Sequence, residues 1–369
     1  MAGLLPIPRE AAQAELTIDL GALAGNWRLL AARIAPTECS AVVKADAYGI
    51  GIEQAVPALF GAGCRTFFVA HVSEGIRVRE ALGTSGVSRI FVLNGLSADP
   101  ALYLAHALNP VLGSRSDLKK WLSAGAGGQA CAIHVDTGMN RLGCSLPDLD
   151  LVDPSRLHVA LVMSHLVSSE VPEDPVNVLQ IERFEAARQR LPGIPASLAN
   201  SSALFLPQLP AYDLARPGYA LYGGNPTPND RNPMRPVVRL TAPILQLREI
   251  EAGTTVGYNA QWTAKRASRL ATIGVGYADG LPRDLMATDA RPGGEAVVAG
   301  RRCAFAGRVS MDLTIIDVTD VPDSDISIGT KVELLGSAIT VDDMGQRAGT
   351  IGYEILTNLG RRYHRVYLG

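Results

Sequence analysis

The sequence predicts an α/β protein, a (β/α)8 barrel of the TIM type followed by a mostly antiparallel β domain, and three observations point there. Between about residues 22 and 224, short apolar runs alternate with longer amphipathic stretches. The runs are apolar throughout, not at every second position, which marks a sheet buried on both faces. After about residue 235 the helical patterns nearly vanish, and β-branched or alternating segments separated by Gly/Pro/Asp turns take over.

In chain order, strands are expected at 39–44 (CSAVVK), 66–71 (TFFVAH), 89–94 (RIFVLN), 110–112, 130–136 (ACAIHVD), 159–165 (VALVMSH), 196–200 (ASLAN) and 214–217 (LARP). Helical patterns lie between them at 25–34, 73–82, 101–108, 116–124 and 175–191. The last starts with Asp174 as N-cap and Pro175 at the first helical position, where a missing N–H is harmless. Eight strands with intervening helices suggest a closed barrel; an open doubly wound sheet is the competitor that counting does not separate. Beyond it, strands are expected at 237–249, 269–275, 296–303, 311–318 and 331–335, with a helix at 348–359. The expected domains are residues 1–240 and 241–369, with the first twenty or so residues able to pair with the β domain.

Composition narrows the function classes. In 369 residues, 34 Lys+Arg against 36 Asp+Glu give a net charge of −2, and no basic stripe suggests nucleic acid. No apolar run approaches the roughly 18–20 residues that span a bilayer. The start, MAGLLPIPREAAQAELTID, lacks the basic and apolar regions of a secretory leader. Five cysteines, odd in number and never in a CxxC, fit a reduced cytoplasm, with no disulfide framework and no metal site expected.

Active sites of such barrels lie at the C-terminal ends of the strands. Here those ends carry Lys44, His71, Asn94, Asp136, His165, Asn200 and Arg216. Lys44 closes the run Ala41-Val42-Val43, where partial desolvation would lower its pKa and free the amine for a Schiff base. The plainer reading is a lysine snorkelling at the rim. Asn200-Ser201-Ser202 and Arg216-Pro217-Gly218-Tyr219 occupy the loops after strands seven and eight, the usual phosphate cradle. A Schiff-base lysine and a phosphate cradle on one face suggest pyridoxal phosphate or a sugar-phosphate aldolase. If Arg216 faces a pyridine nitrogen, its guanidinium can only donate, which disfavours transamination-type chemistry and favours brief proton removal and return.

Val43-Lys44-Ala45-Asp46-Ala47-Tyr48-Gly49 closely resembles the cofactor-lysine signature of the alanine racemases. The resemblance continues in order through Asp136-Thr137-Gly138-Met139-Asn140-Arg141-Leu142-Gly143, Met163-Ser164-His165, Ala199-Asn200-Ser201, Arg216-Pro217-Gly218, Gly274-Val275-Gly276-Tyr277-Ala278-Asp279-Gly280, Gly307-Arg308-Val309-Ser310-Met311-Asp312 and Gly352-Tyr353-Glu354. It implies a pyridoxal phosphate enzyme interconverting L- and D-alanine for peptidoglycan, acting as a homodimer with sites shared between subunits. Lys44 would hold the coenzyme and act as base on the D-face. Tyr277, reaching in from the partner, would be the base on the L-face. A free phenol with pKa near 10 is a poor base without support, and His165 with Arg216 behind it resembles that support. Arg141 and the Met311 N–H, with Asp312 beside it, would hold the substrate carboxylate. Tyr48, Asn200, Ser201, Gly218, Tyr219 and Tyr353 would line the coenzyme, most of them at its phosphate.

Three positions depart from common forms of the pattern. Ile50 stands where a histidine is frequent, and Tyr219 replaces an aliphatic residue. His134 stands where many members carry a carbamylated lysine that neutralises Arg141. Here either an anion substitutes or His134 orients Arg141 directly. A broad-specificity or serine racemase, or a decarboxylase of the same fold, is the enzymatic alternative, and Arg216 argues against decarboxylation. A non-catalytic pyridoxal phosphate carrier is the alternative of another class; it has no use for a second base.

Overall fold

The computed structural model describes residues 7–83 and 88–369; residues 1–6, part of the leader reading, lie outside it. The chain divides into two compact units, Gly21–Arg235 and a second made of the segment up to Leu20 with Pro236–Gly369.

The strands are β1 (Glu15–Asp19), which belongs to the second unit, then β2 (Ala41–Val42), β3 (Thr66–Val69), β4 (Arg89–Val92), β5 (Asn109–Leu112), β6 (Cys131–His134), β7 (Val159–Met163), β8 (Ala196–Ser197) and β9 (Leu214–Ala215). The main helices of the first unit are α1 (Leu20–Ile34), α2 (Ile52–Ala62), α3 (Val72–Leu82), α4 (Pro100–Ala105), α5 (Arg115–Ser123) and α6 (Pro175–Arg190). Strands β2 to β8 form one parallel ladder in chain order. β9 closes it. On one side the N–H groups of Glu38, Ser40 and Val42 donate to the carbonyls of Asp213, Ala215 and Pro217 at 3.0, 3.0 and 2.9 Å. On the other, Asp213 and Arg216 donate to Ala196 and Ala199 at 3.1 and 2.9 Å. The eight expected runs are therefore a closed barrel.

β3, β5 and β6 are buried at every position, as strands covered on both faces must be. Phe68 and Phe91 stack inside at 5.1 Å. α6 starts as its cap residues predict, with the Asp174 carboxylate accepting from the Val176 N–H at 3.0 Å. The first expected strand is interrupted at Ser40, and Lys44 lies past its end.

The second unit is built on an eight-stranded sheet. β1 lies between β10 (Val238–Ile250), antiparallel, and the last strand, His364–Leu368, parallel. The segment expected at 296–303 is a hairpin, Glu295–Val298 and Arg301–Ala304, turning at Ala299 and Gly300 with φ of 48° and 78°. The helix expected at 348–359 is corrected: Val341–Ala348 and Gly352–Thr357 are separate helices. Gly349 at φ 69° ends the first, and Gly345 packs so closely on Ile351 and Gly352 that a Cβ there would lie 2.8 Å from their backbone. Among the described residues no helix is long and apolar enough to cross a membrane.

Leu16 of β1 is fully buried. Leu16→Ala should destabilise the second unit by about 2–5 kcal/mol, read by urea denaturation followed through Trp262; an unchanged midpoint would show that β1 adds no core.

Candidate active site

Lys44 is half-buried, and the chain turns sharply after it. Ala45, Asp46, Ala47 and Tyr48 all have φ between 52° and 56°, a full left-handed turn without a glycine. Such backbone costs about 1–2 kcal/mol per L-residue, so it persists only where its surroundings over-determine it. The Ala45 N–H donates to Glu74 Oε1 at 2.6 Å, the Ile52 N–H to Asp46 Oδ1 at 3.2 Å, and Gly49 to the Ala45 carbonyl at 2.8 Å. Tyr48 is buried and stacks on Tyr222 at 4.4 Å, while the Tyr222 hydroxyl donates to the Val42 carbonyl at 2.9 Å. Burial, then the charge of Arg141, holds the Lys44 ammonium below its ordinary range, with Glu74 opposing.

Barrel closure brings the eighth-strand loop against this turn. A Cβ on Gly218 would lie 2.4 Å from the Tyr48 hydroxyl and 3.3 Å from Val42 Cβ, so only glycine keeps its backbone there. Ser201 Oγ lies within 3.0 and 3.2 Å of the Gly218 and Ala220 N–H groups, and Tyr219 is buried beside them. Asn200 is committed locally: its Oδ1 accepts from Ser169 Oγ at 2.8 Å and from the Ala203 N–H at 3.0 Å. Arg216 is buried, donates to the Ser197 hydroxyl and the Ser164 carbonyl, and has no carboxylate at ion-pair distance among the described residues. Burial pulls its guanidinium down to about 9, so it stays charged at neutral pH.

Arg141 and the two histidines complete the cluster. Asp136 Oδ1 accepts from the N–H groups of Gly138, Met139 and Asn140 at 2.9, 3.0 and 3.1 Å, which shapes the loop carrying Arg141. Burial, then Arg216, lowers His134 to about 4; burial, then Arg216, Arg141 and Lys44, lowers His165 to about 3. Both histidines are neutral near pH 7. Arg141 and Arg216 thus present positive charge around Lys44, with Glu74 and Asp136 as the nearby acids.

In the second unit, Tyr277 is 41% exposed and its turn is tied to the Met311 loop. The Tyr277 and Ala278 N–H groups donate to the Ser310 and Met311 carbonyls at 3.0 and 2.9 Å. Arg362 bridges Asp279 at 2.9 Å and Asp312 at 2.8 Å. Tyr353 sits half-buried on the final helix, Gly352–Thr357. The sequence reading missed Glu74, Arg77, Tyr222 and Arg362, and also Tyr258. Tyr258 is 68% exposed on a turn where Gly257, Asn259 and Ala260 have φ of 76°, 63° and 48°. That turn packs on the start of the loop that carries Met311: a Cβ on Gly257 would lie 3.2 Å from the Arg308 nitrogen. The signal available was the tract Val256-Gly257-Tyr258-Asn259-Ala260 after a turn.

A closed barrel with a lysine just past a strand end, a loop of clustered N–H donors and a buried arginine with no carboxylate partner among the described residues fits the class of Schiff-base enzymes that take a phosphorylated coenzyme. The family model "Alanine racemase, N-terminal domain" matches residues 18–226, and "Alanine racemase, C-terminal domain" matches 237–367. The alanine racemase of Methylobacterium nodulans is 54% identical over 369 residues, 96% of each chain. The biosynthetic alanine racemase of Agrobacterium fabrum is 45% identical, covering 97% of this chain and 95% of its own. The crystal structure of the Bartonella henselae alanine racemase, with covalently bound pyridoxal phosphate, is 38% identical with a TM-score of 0.89 over 97% of this chain and 100% of that one. The chain belongs to the alanine racemase family of pyridoxal phosphate-dependent isomerases.

The residues present fit that coenzyme. The Gly218 and Ala220 N–H groups, gathered at Ser201 Oγ with the Tyr48 hydroxyl close by, are donors that suit a phosphate, and the half-buried Lys44 amine suits its aldehyde.

Gly218→Ala should weaken pyridoxal phosphate binding at least about tenfold, roughly 1.4 kcal/mol, in a fluorescence titration; unchanged affinity would remove the cradle. His134 gives a second test. Its folded pKa lies below its unfolded one, so the unfolded chain binds more protons and stability falls as pH drops from about 6.5 towards 4. His134→Gln should recover on the order of 1–2 kcal/mol of that acid loss in urea denaturation at pH 5 relative to pH 7.

Proposed function

We propose that the chain racemises alanine by proton transfer on opposite faces of the substrate Cα, one base being Lys44 and the other a tyrosine of the second unit. The observation that carries this is the Lys44 amine, half-buried at a barrel strand end with its ammonium form disfavoured. A neutral amine takes a proton; an ordinary exposed lysine holds one already. When bound, pyridoxal phosphate supplies a conjugated electron-withdrawing ring that acidifies the Cα–H of the amino acid joined to it. Lys44 would hold it through Nζ. Ser201, Gly218, Tyr219, Tyr48 and Tyr353 would grip its phosphate, with Asn200 shaping that loop. Arg216 would face the ring nitrogen as a donor only, since its guanidinium keeps its proton. Arg141 and the Met311 N–H would orient the carboxylate, with Asp312 and Arg362 bracing the Met311 loop. His165, neutral between Lys44, Arg141 and Arg216, can relay a proton without adding charge.

The sequence reading places the second base at Tyr277. Two observations favour Tyr258. It is the more exposed phenol, and it rides on a turn with left-handed Asn259 and Ala260, the kind of strain that gathers at functional sites. Tyr277 would then line the site and brace Met311. Tyr258, Met311 (53% exposed) and Ile351 (61%) leave apolar surface on the second unit, which supports a homodimer whose partner supplies the tyrosine. Relatives named biosynthetic and catabolic are equally similar, at 45% identity each; the reading as a supplier of D-alanine for peptidoglycan is tested by rescue of a D-alanine auxotroph.

Tyr258→Phe should slow solvent-deuterium exchange into L-alanine by about 100-fold or more, with a smaller loss from D-alanine, while Tyr277→Phe should lose less than about tenfold. The reverse pattern returns the role to Tyr277. Mixing inactive Lys44→Ala and Tyr258→Phe chains should restore activity if sites are shared, and no recovery would place both bases in one chain.

A further inference from the structure

The turn that presents Lys44 is held from outside its own strand. Glu74 and Arg77 lie three residues apart on α3, on neighbouring positions of one helix face. Glu74 Oε2 accepts from the Ala70 and His71 N–H groups at 2.9 and 3.1 Å, an ordinary cap for its own helix. Its other oxygen does something a cap does not need. Glu74 Oε1 takes the N–H of Ala45, the first left-handed residue, at 2.6 Å. Arg77 grips the next residue, with Nη2 2.5 Å from Asp46 Oδ1. Arg77 is anchored in turn on Glu53 of α2 at 2.7 and 2.8 Å. Asp46 Oδ1 also receives the Ile52 N–H at 3.2 Å, so one carboxylate pins both ends of the turn.

We propose that Glu74 and Arg77 are positioning residues: together they lock the left-handed turn that presents Lys44 and place a carboxylate beside it. This rests on the reading of Lys44 as the coenzyme lysine. The charged and titratable groups acting on Lys44 are Arg141, Glu74 and His165, and Glu74 is the one acid among them. The helix thereby sets two properties of the amine at once, where it points and how readily it gives up a proton. Arg77 contributes to the first only, because Asp46 and Glu53 neutralise it.

The test uses the coenzyme-free full chain and an amine-reactive probe, trinitrobenzenesulfonate, with modification of the Lys44 peptide followed by mass spectrometry against pH. Only the neutral amine reacts. Glu74→Gln keeps size and shape but removes the charge and turns one accepting oxygen into a donor, so the midpoint should fall by about one pH unit, labelling at a pH below the midpoint should be about tenfold faster, and amide exchange at residues 45–52 should also rise. Arg77→Gln should leave the midpoint where it is and speed amide hydrogen exchange at residues 45–52 at least about tenfold. An unmoved midpoint in folded Glu74→Gln overturns the charge role, and unchanged exchange in Arg77→Gln overturns the lock. If Glu74→Gln does not fold, Glu74→Asp replaces it: the shortened carboxylate should release Ala45 and speed exchange at 45–52, and unaltered exchange refutes the clamp. The wild-type chain is checked for the yellow colour of bound pyridoxal phosphate and its loss in Lys44→Ala. Failure there sinks the coenzyme-lysine reading itself, whereas retained colour with an unmoved midpoint sinks only the clamp.

Discussion

The architecture turns on the closure of the barrel through β9, a strand two residues long. Backbone bonds from it and its flanking residues Asp213, Arg216 and Pro217, to Ser40 and Val42 on one side and to Ala196 and Ala199 on the other, join the first and last strands. Without them Gly218 and Ser201 would have no fixed relation to Lys44. With them, the left-handed turn and the eighth-strand loop touch through Tyr48 and Gly218 so closely that no side chain fits between. A short strand suffices because its backbone is bonded on both edges, and a buried N–H left unpaired would be costly.

Electrostatics follow from that geometry. Once closure buries Arg216 behind the site, its charge has no carboxylate to meet and acts on everything nearby. It helps hold His134 and His165 neutral. Arg141 adds to the same field and, after burial, disfavours the Lys44 ammonium. A pocket with this balance stabilises anions, and a phosphate and a carboxylate are the anions that a phosphorylated coenzyme and an amino acid bring. After burial, the same field shifts Lys44 away from its ammonium form, so anion binding and the proposed base chemistry share one cause.

Much of this is legible in the sequence. Continuous apolar runs reveal the barrel strands because burial on both faces leaves little room for polar residues, as at residues 67–69 and 131–133. Lys44 shows itself because a lysine after Ala-Val-Val is out of place. The turn that follows is not legible. Ala45, Asp46, Ala47 and Tyr48 include no glycine, and their left-handed backbone is imposed by Glu74, Arg77 and Tyr222, groups that lie tens of residues to well over a hundred away in sequence. A local reading has no access to such forces. The Gly-Tyr-Ala-Asp-Gly tract around Tyr277 is conspicuous for its glycines, whereas the strain under Tyr258 is visible only in φ.

These two kinds of residue mark a division of labour. On the proposed reading Lys44 and Tyr258 present the reactive atoms, and each adjoins left-handed backbone. Glu74, Arg77, Asp46 and Arg362 present none, yet each spends its charge on a loop: Arg362 on Asp279 and Asp312, Arg77 on Asp46 and Glu53. The exposed pairs among these, Arg77 with Glu53 and Arg362 with Asp312, contribute little to global stability, about 0–1 kcal/mol each. Their placement beside the strained loops makes sense as local ordering, in which a small energy decides between two conformations of a few residues, not between folded and unfolded chain. On that view substitutions at these arginines shift the melting temperature little and the geometry of the reactive groups a great deal.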